Sequence, residues 1–136
     1  MSARTDIRDA LVTLLEGIDG VRKVSTGPYQ DFHQVPTARM PYIQLISSTE
    51  NRDLLDVHRK SECIWTIDLW CYLDAKEDVE AWVEKIRARI VTNRGLSLPG
   101  VVIDVFIRTI ITDDVGWVSP DGFILMEIEV TYRVLD

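Results

Sequence analysis

The sequence predicts an α+β domain, a mostly antiparallel sheet of four or five strands with two helices packed on one of its faces, in the order helix, three strands, helix, two strands. Two segments carry apolar residues three or four positions apart, the spacing of a helix with one buried stripe. Longer segments alternate apolar and polar residues with a period of two, as strands do. A chain of 136 residues has the size of one domain with one core.

The first helix is read from Ile7, Ala10, Leu11, Leu14, Leu15 and Ile18, which form one stripe. Thr5 or Asp6 can accept from its first free amides, and Gly17 and Gly20 loosen its end. Residues 21–25 make a short strand. The connection 27–41 contains Pro28, Pro36 and Pro41, which forbid regular pairing, and a connection this long in a compact domain is usually functional or disordered. Its Tyr29, Phe32 and His33 are therefore candidates for contact with a partner, with folding back onto their own core as the alternative.

Residues 42–48 and 63–72 read as strands. The second places Cys63, Trp65, Ile67, Leu69 and Cys71 on one face and Ile64, Thr66, Asp68, Trp70 and Tyr72 on the other. Between them, 50–60 is too polar for a core element and longer than a tight turn, so it reads as a charged hairpin arm or loop. Asp74, with Glu77 three residues on, is the expected cap of a second helix whose stripe is Val79, Trp82, Val83, Ile86 and Ile90, and which Asn93 and Gly95 end. Residues 101–112 and 123–134 form a last strand pair around the turn residues Gly116, Pro120 and Gly122. Two helices cover one sheet face only. The other face would mix Trp70, Tyr72, Phe106, Ile110, Phe123 and Leu125 with Asp68, Asp104, Arg108, Glu127, Glu129 and Arg133, and apolar groups rimmed by charge mark an interaction surface.

Composition narrows the function classes. Apolar residues at 46% and charged residues at 27% favour neither disorder nor a fibrous repeat. No apolar run approaches the ~20 residues that span a bilayer, and the N-terminus has no apolar stretch of the signal-peptide kind, so a cytoplasmic origin without membrane contact is expected. A net charge of −7 repels a phosphate backbone, which makes specific nucleic-acid binding a poor expectation. The basic group Lys85, Arg87, Arg89 and Arg94 sits late in the second helix, where it complements the helix dipole.

Candidate chemistry is sparse. Cys63 and Cys71 on one strand stand about 27 Å apart at roughly 3.4 Å per residue, too far to bond each other or share a zinc ion, so buried free thiols are expected. Pro120-Asp121 followed by Glu127-Ile128-Glu129 resembles the proline-aspartate and glutamate-x-lysine signature of metal-dependent nucleases, but Glu129 stands where lysine is needed and a single strand would carry both acids. Asp113, Asp114, Asp121, Glu127 and Glu129 define the alternative of a small divalent-metal enzyme. No serine lies in a nucleophile elbow and no glycine-rich loop opens a helix. His58, among Asp53, Asp56, Arg59 and Lys60, is a solvated histidine before it is a base. Trp65 and Trp82 fall on apolar stripes, whereas Trp70 and Trp117 lie outside them and are available as anchors. No catalytic residue, metal site or cofactor is expected.

The N-terminal amphipathic helix, the opening strand Met40-Pro41-Tyr42-Ile43-Gln44-Leu45, the charged insertion at 50–60, the single crossover helix and the terminal strand pair together resemble the tail-terminator, or tail-completion, proteins of long-tailed bacteriophages and the neck-terminator proteins of prophages. The resemblance covers nearly the whole chain. It implies a non-enzymatic virion-assembly subunit that forms a homo-oligomeric ring, commonly a hexamer, closing the tail tube and joining it to the head. Its partners would be other copies, the tail-tube protein and a head-completion or connector protein. It would act in the virion tail or neck after assembly in the host cytoplasm. The insertion would then be an arm reaching a neighbouring subunit or the tube, with contacts from Arg52, Asp53, Asp56, Arg59, Lys60, Trp70, Arg108 and Arg133. Another head-tail connector or a tail-tube subunit is the nearest alternative.

Overall fold

A computed structural model of the chain describes residues 3–30, 34–52, 60–74, 77–112 and 122–135. The expected order of elements is present. Helix α1 (Ala3–Glu16) is followed by strand β1 (Lys23–Ser25), a single 3-10 turn (Thr37–Arg39), strands β2 (Tyr42–Arg52) and β3 (Lys60–Leu73), helix α2 (Val79–Val91), and strands β4 (Val102–Thr112) and β5 (Gly122–Leu135). They build one five-stranded sheet in the order β1-β2-β3-β5-β4. Only the β1–β2 pair is parallel, and β2–β3, β3–β5 and β5–β4 are antiparallel.

Both helices lay their stripes against one face of this sheet. Ile7, Leu11 and Leu15 of α1 and Trp82, Val83, Ile86 and Ile90 of α2 share a core with Cys63, Trp65, Ile67, Leu69 and Cys71 of β3 and with Ile124, Met126, Ile128 and Val130 of β5. This is the inner face. Its residues recur at every second position of the strands and every third or fourth of the helices, so burying them drives both periodicities at once. Gly20 turns the chain out of α1 with φ at 97°, in the left-handed region that favours glycine, and a β-carbon added there would meet the Trp82 ring.

The structure differs from the sequence reading at four places. Helix α2 starts one turn later than Asp74 indicates. Asp78 is the N-cap, with its carboxylate accepting from the Glu80 amide, and the Glu77 carboxylate accepts instead from Trp82 Nε1 at 2.7 Å. Strand pairing runs into the segment read as an arm from both sides. Glu50, Asn51 and Arg52 lie opposite Trp65, Ile64 and Cys63, and Lys60 lies opposite Leu135; residues 53–59 are outside the described part. Strand β4 carries two irregularities against β5, between Val102 and Asp104 and between Ile107 and Thr109. Each adds a residue and reverses the face of the strand positions beyond it, so Ile110 faces the core and Ile111 takes the outer position. Finally, Tyr72 is buried at 1% exposure, because the connection after β1 covers it.

Candidate interaction surface

The outer face of the sheet is where side chains stop serving the main core. Partners across an antiparallel pair point to the same side, with side chains about 5 Å apart, so the strand registers order this face in rows from β2 to β4. Gln44, Trp70, Leu125 and Ile111 make one row, Ile46, Asp68, Glu127 and Thr109 the next, and Thr66, Glu129 and Phe106 the third.

One end of the face is closed by the chain itself. Val35 and Met40 pack with Tyr42 and Tyr72 in a second, smaller apolar cluster, against which Trp70 and Phe123 rest. Gln44, fully buried at 0% exposure, holds the covering segment in place. Its amide nitrogen donates to the Gln30 carbonyl at 2.8 Å and to the Tyr72 hydroxyl at 2.9 Å, and its oxygen accepts from the Gln30 amide at 3.0 Å. Gln44 thereby satisfies both backbone groups of Gln30, as a neighbouring strand would. Tyr72 also donates to the Gln30 carbonyl at 2.8 Å, and the Tyr42 hydroxyl donates to the Gln30 side chain at 3.1 Å. Tyr29 meets Trp70 edge-on with centroids 5.6 Å apart and is still half open to solvent. Of the three residues considered as partner contacts, Tyr29 thus folds back on the sheet; Phe32 and His33 lie outside the described residues.

The other end is open. Asp68 and Glu127 stand directly opposite one another on β3 and β5, a pairing of like charges that disfavours the isolated fold. Partial burial, and then the nearby Glu127 charge, push the Asp68 carboxyl above its ordinary range. Among the described residues no cation lies within ion-pair distance of either acid. Glu129, the next acid along β5, receives Arg108 Nη1 at 3.3 Å. At the β4 edge Arg94 grips both oxygens of Asp104, with Nε to Oδ1 at 2.7 Å, and this hydrogen bonding holds the Asp104 carboxyl below the usual range. Around these charges Ile64, Phe106 and Ile111 are more than two-fifths exposed.

The contact residues expected from sequence fall into three groups. Trp70 is half-buried among Tyr29, Tyr72 and Phe123. Arg108 sits at the second β4 irregularity, and Arg133 is exposed near the end of β5 with its amide donating to the Val101 carbonyl. Arg52 ends β2 and Lys60 begins β3, with side chains outside the described part, as are Asp53, Asp56 and Arg59 altogether. Of the metal-enzyme set, Asp113, Asp114 and Asp121 are outside it too, as is Trp117. Glu127 and Glu129 belong to the outer face, and among the described residues no three His, Cys, Asp or Glu side chains are placed to hold a metal ion. Cys63 and Cys71 are free and buried on β3, and burial pushes the Cys71 thiol up, away from the reactive thiolate.

A cleft of about 370 Å³ lies between the start of α1 and the inner side of β2 and β3, lined by Arg4, Arg8, Ser47 and Trp65 among others. Polar groups of its lining pair with one another. Arg4 lies over the Trp65 ring at 4.6 Å and donates to Ser47 Oγ at 3.2 Å, which also accepts from Trp65 Nε1 at 2.8 Å. No described helix is long and apolar enough to cross a membrane.

The chain is similar to a chain of the virion of a native gene transfer agent particle, with a TM-score of 0.54 and 12% sequence identity, over 98% of this chain and 92% of that one. At that identity the likeness is one of fold. No protein-family model matches the chain, and no curated protein matches it in sequence.

Proposed function

We propose that this chain is a structural subunit of a phage or prophage virion, a tail terminator whose copies form a ring, hexameric in the simplest reading, that closes the tail tube and joins it to the head. The observation that carries the proposal is the whole-length likeness to a chain of a gene transfer agent virion, which extends over both chains rather than over one shared substructure. The open half of the outer face adds support. A subunit working alone gains nothing from opposing Asp68 to Glu127 beside exposed Phe106 and Ile111, whereas a subunit that docks there has a use for charge and apolar surface together.

In this reading the protein acts by assembly and not by catalysis. Arg52, Asp53, Asp56, Arg59 and Lys60 reach the tube or a neighbour, while Trp70, Arg108 and Arg133 belong to contacts between subunits. The test is light scattering and negative-stain imaging of the purified protein, alone and with purified tails that lack a terminator. Rings, and tubes with capped ends, are the expected result. Monomers throughout, with bare tube ends, would overturn it. Copolymerisation along the tube would assign the chain to the tail tube, and capture by heads in the absence of tails would assign it to the connector. A melting temperature raised strongly by magnesium or calcium, and no longer raised in Asp121→Ala, would restore the metal-enzyme alternative.

A further inference from the structure

Most of the described cations are engaged. Arg94 holds Asp104, Arg108 holds Glu129, Arg87 holds Glu84, Arg8 holds Asp9, Arg89 donates to the Leu14 carbonyl, and Lys85 lies over Trp82. Of the four exposed cations without such a partner among the described residues, Arg133 lies on β5 and the other three stand together at the opposite edge of the sheet. Arg22 and Lys23 at β1 and Arg39 in the 3-10 turn line a shallow depression with Ala38. A chain with a net charge of −7 therefore keeps a cluster of unneutralised positive charge at one sheet edge and an unneutralised pair of carboxylates, Asp68 and Glu127, on the outer face.

We infer that these two patches are the two halves of one contact between copies of this chain, with Arg22, Lys23 and Arg39 at the β1 edge of one subunit docking on Asp68 and Glu127 of the next. The inference rests on the ring reading above and specifies its interface. Charge complementarity selects the occupant, because each patch lacks within the subunit the charge that the other supplies. The apolar groups around the acids, Ile46, Leu125 and Phe106, provide surface to be buried, which strengthens the charge pairs by excluding water. The contact joins two different patches and is therefore head-to-tail, the kind that closes into a ring when the rotation between neighbours allows. A simpler role for Arg22 and Lys23 is to blunt an open strand edge against aggregation. Glutamate would serve that purpose equally, so charge reversal separates the two roles.

The experiment uses two variants of the whole chain, Lys23→Glu with Arg39→Glu, and Asp68→Lys with Glu127→Lys, with circular dichroism to establish that each folds. Sedimentation velocity reads assembly of each alone and of a one-to-one mixture; if the wild type assembles only on tails, capped tube ends are scored instead. Each variant alone is expected to associate about tenfold more weakly or worse. The mixture is expected to recover assembly, since every edge then faces a patch of opposite sign. Should the lysine pair prevent folding, Asp68→Asn with Glu127→Gln replaces it, with weakened assembly as the expected result. Reversal variants that assemble like the wild type would overturn the inference, as would a mixture of folded variants that stays dissociated. Loss of duplex DNA binding in the edge variant with assembly intact would also overturn it and assign the edge to nucleic acid. A wild type that assembles while the reversals are silent leaves the ring reading standing without this contact, whereas a wild type that neither assembles nor caps tubes removes both.

Discussion

The two faces of the same sheet are built to different rules, and β5 shows both within one strand. Ile124, Met126, Ile128 and Val130 have no exposed surface. The residues between them, Phe123, Leu125, Glu127, Glu129 and Thr131, are all half-buried, and two of them are acids. On the inner face these positions share one buried core with helix residues of the same chain. On the outer face the end under the Gln30 segment is answered, Arg108 and Arg94 answer Glu129 and Asp104, and Asp68 and Glu127 stay unmatched among the described residues. A strand with two such faces folds with one and has the other free for recognition.

The largest effect that can break this contrast is a cavity on the inner face. Ile128→Ala is expected to cost about 3 kcal/mol in urea unfolding, since the side chain is fully enclosed between sheet and helices. Leu125→Ala, three residues earlier on the outer face, is expected to cost about 1 kcal/mol or less, because its surface is already partly in water. Equal costs for the two would mean that both faces belong to one core.

Next in size is the clamp that closes one end of the outer face. Gln44→Ala is expected to cost about 2 kcal/mol, because it leaves the Gln30 amide without its acceptor and takes one donor from the Gln30 carbonyl and one from the Tyr72 hydroxyl. The specific readout is hydrogen exchange, in which the Gln30 amide loses protection while amides of β3 and β5 keep theirs. If protection is lost evenly across the sheet, the covering segment is part of the main fold and the two ends of the face are not distinct. Asp78→Ala, which uncaps a helix that covers the inner face, is expected to cost about 1 kcal/mol by the same denaturation measurement.

Where periodicity is unbroken, the architecture can be read from the residues. The stripes from Ile7 to Leu15 and from Val79 to Ile90 and the alternations of 63–72 and 123–134 predict both helices and the inner face. Face assignments fail where the count is interrupted, because an extra residue in β4 changes no composition and yet turns Ile110 inward and Ile111 outward. The cap moved from Asp74 to Asp78 for a related reason. Both are followed by suitable residues, and in the structure the Glu77 carboxylate accepts from Trp82 Nε1. Gln44 carried a visible signal, an amide in a strand otherwise rich in apolar residues, but its partner at Gln30 is joined only by the course of the 27–41 connection. The opposition of Asp68 and Glu127 needs the register of β3 on β5, which residue types on each strand alone do not specify.

The smallest effect is the most informative about the open half. Replacing Asp68 with asparagine removes one member of the like-charged pair and is expected to stabilise the subunit by about 0.5 kcal/mol at pH 7, within the range of cross-strand pairs. Its pH dependence comes from the raised Asp68 carboxyl. The folded state holds that proton more tightly than the unfolded chain, where aspartate titrates near about 3.9. The stabilisation from protonation is complete below that value and is lost as pH rises through the folded pKa, so the wild type is penalised at neutral pH and not in acid. The advantage of Asp68→Asn measured by urea unfolding should therefore shrink between pH 7 and pH 4. An advantage that grows on acidification would show that Glu127 and burial do not act on Asp68 as described. The same variant should assemble less well than the wild type, because the charge that burdens the isolated subunit is the one a neighbour would neutralise. Opposite signs for stability and assembly in one substitution are what a face kept for docking requires, and a variant improved in both would leave the carboxylate pair without that reason to exist.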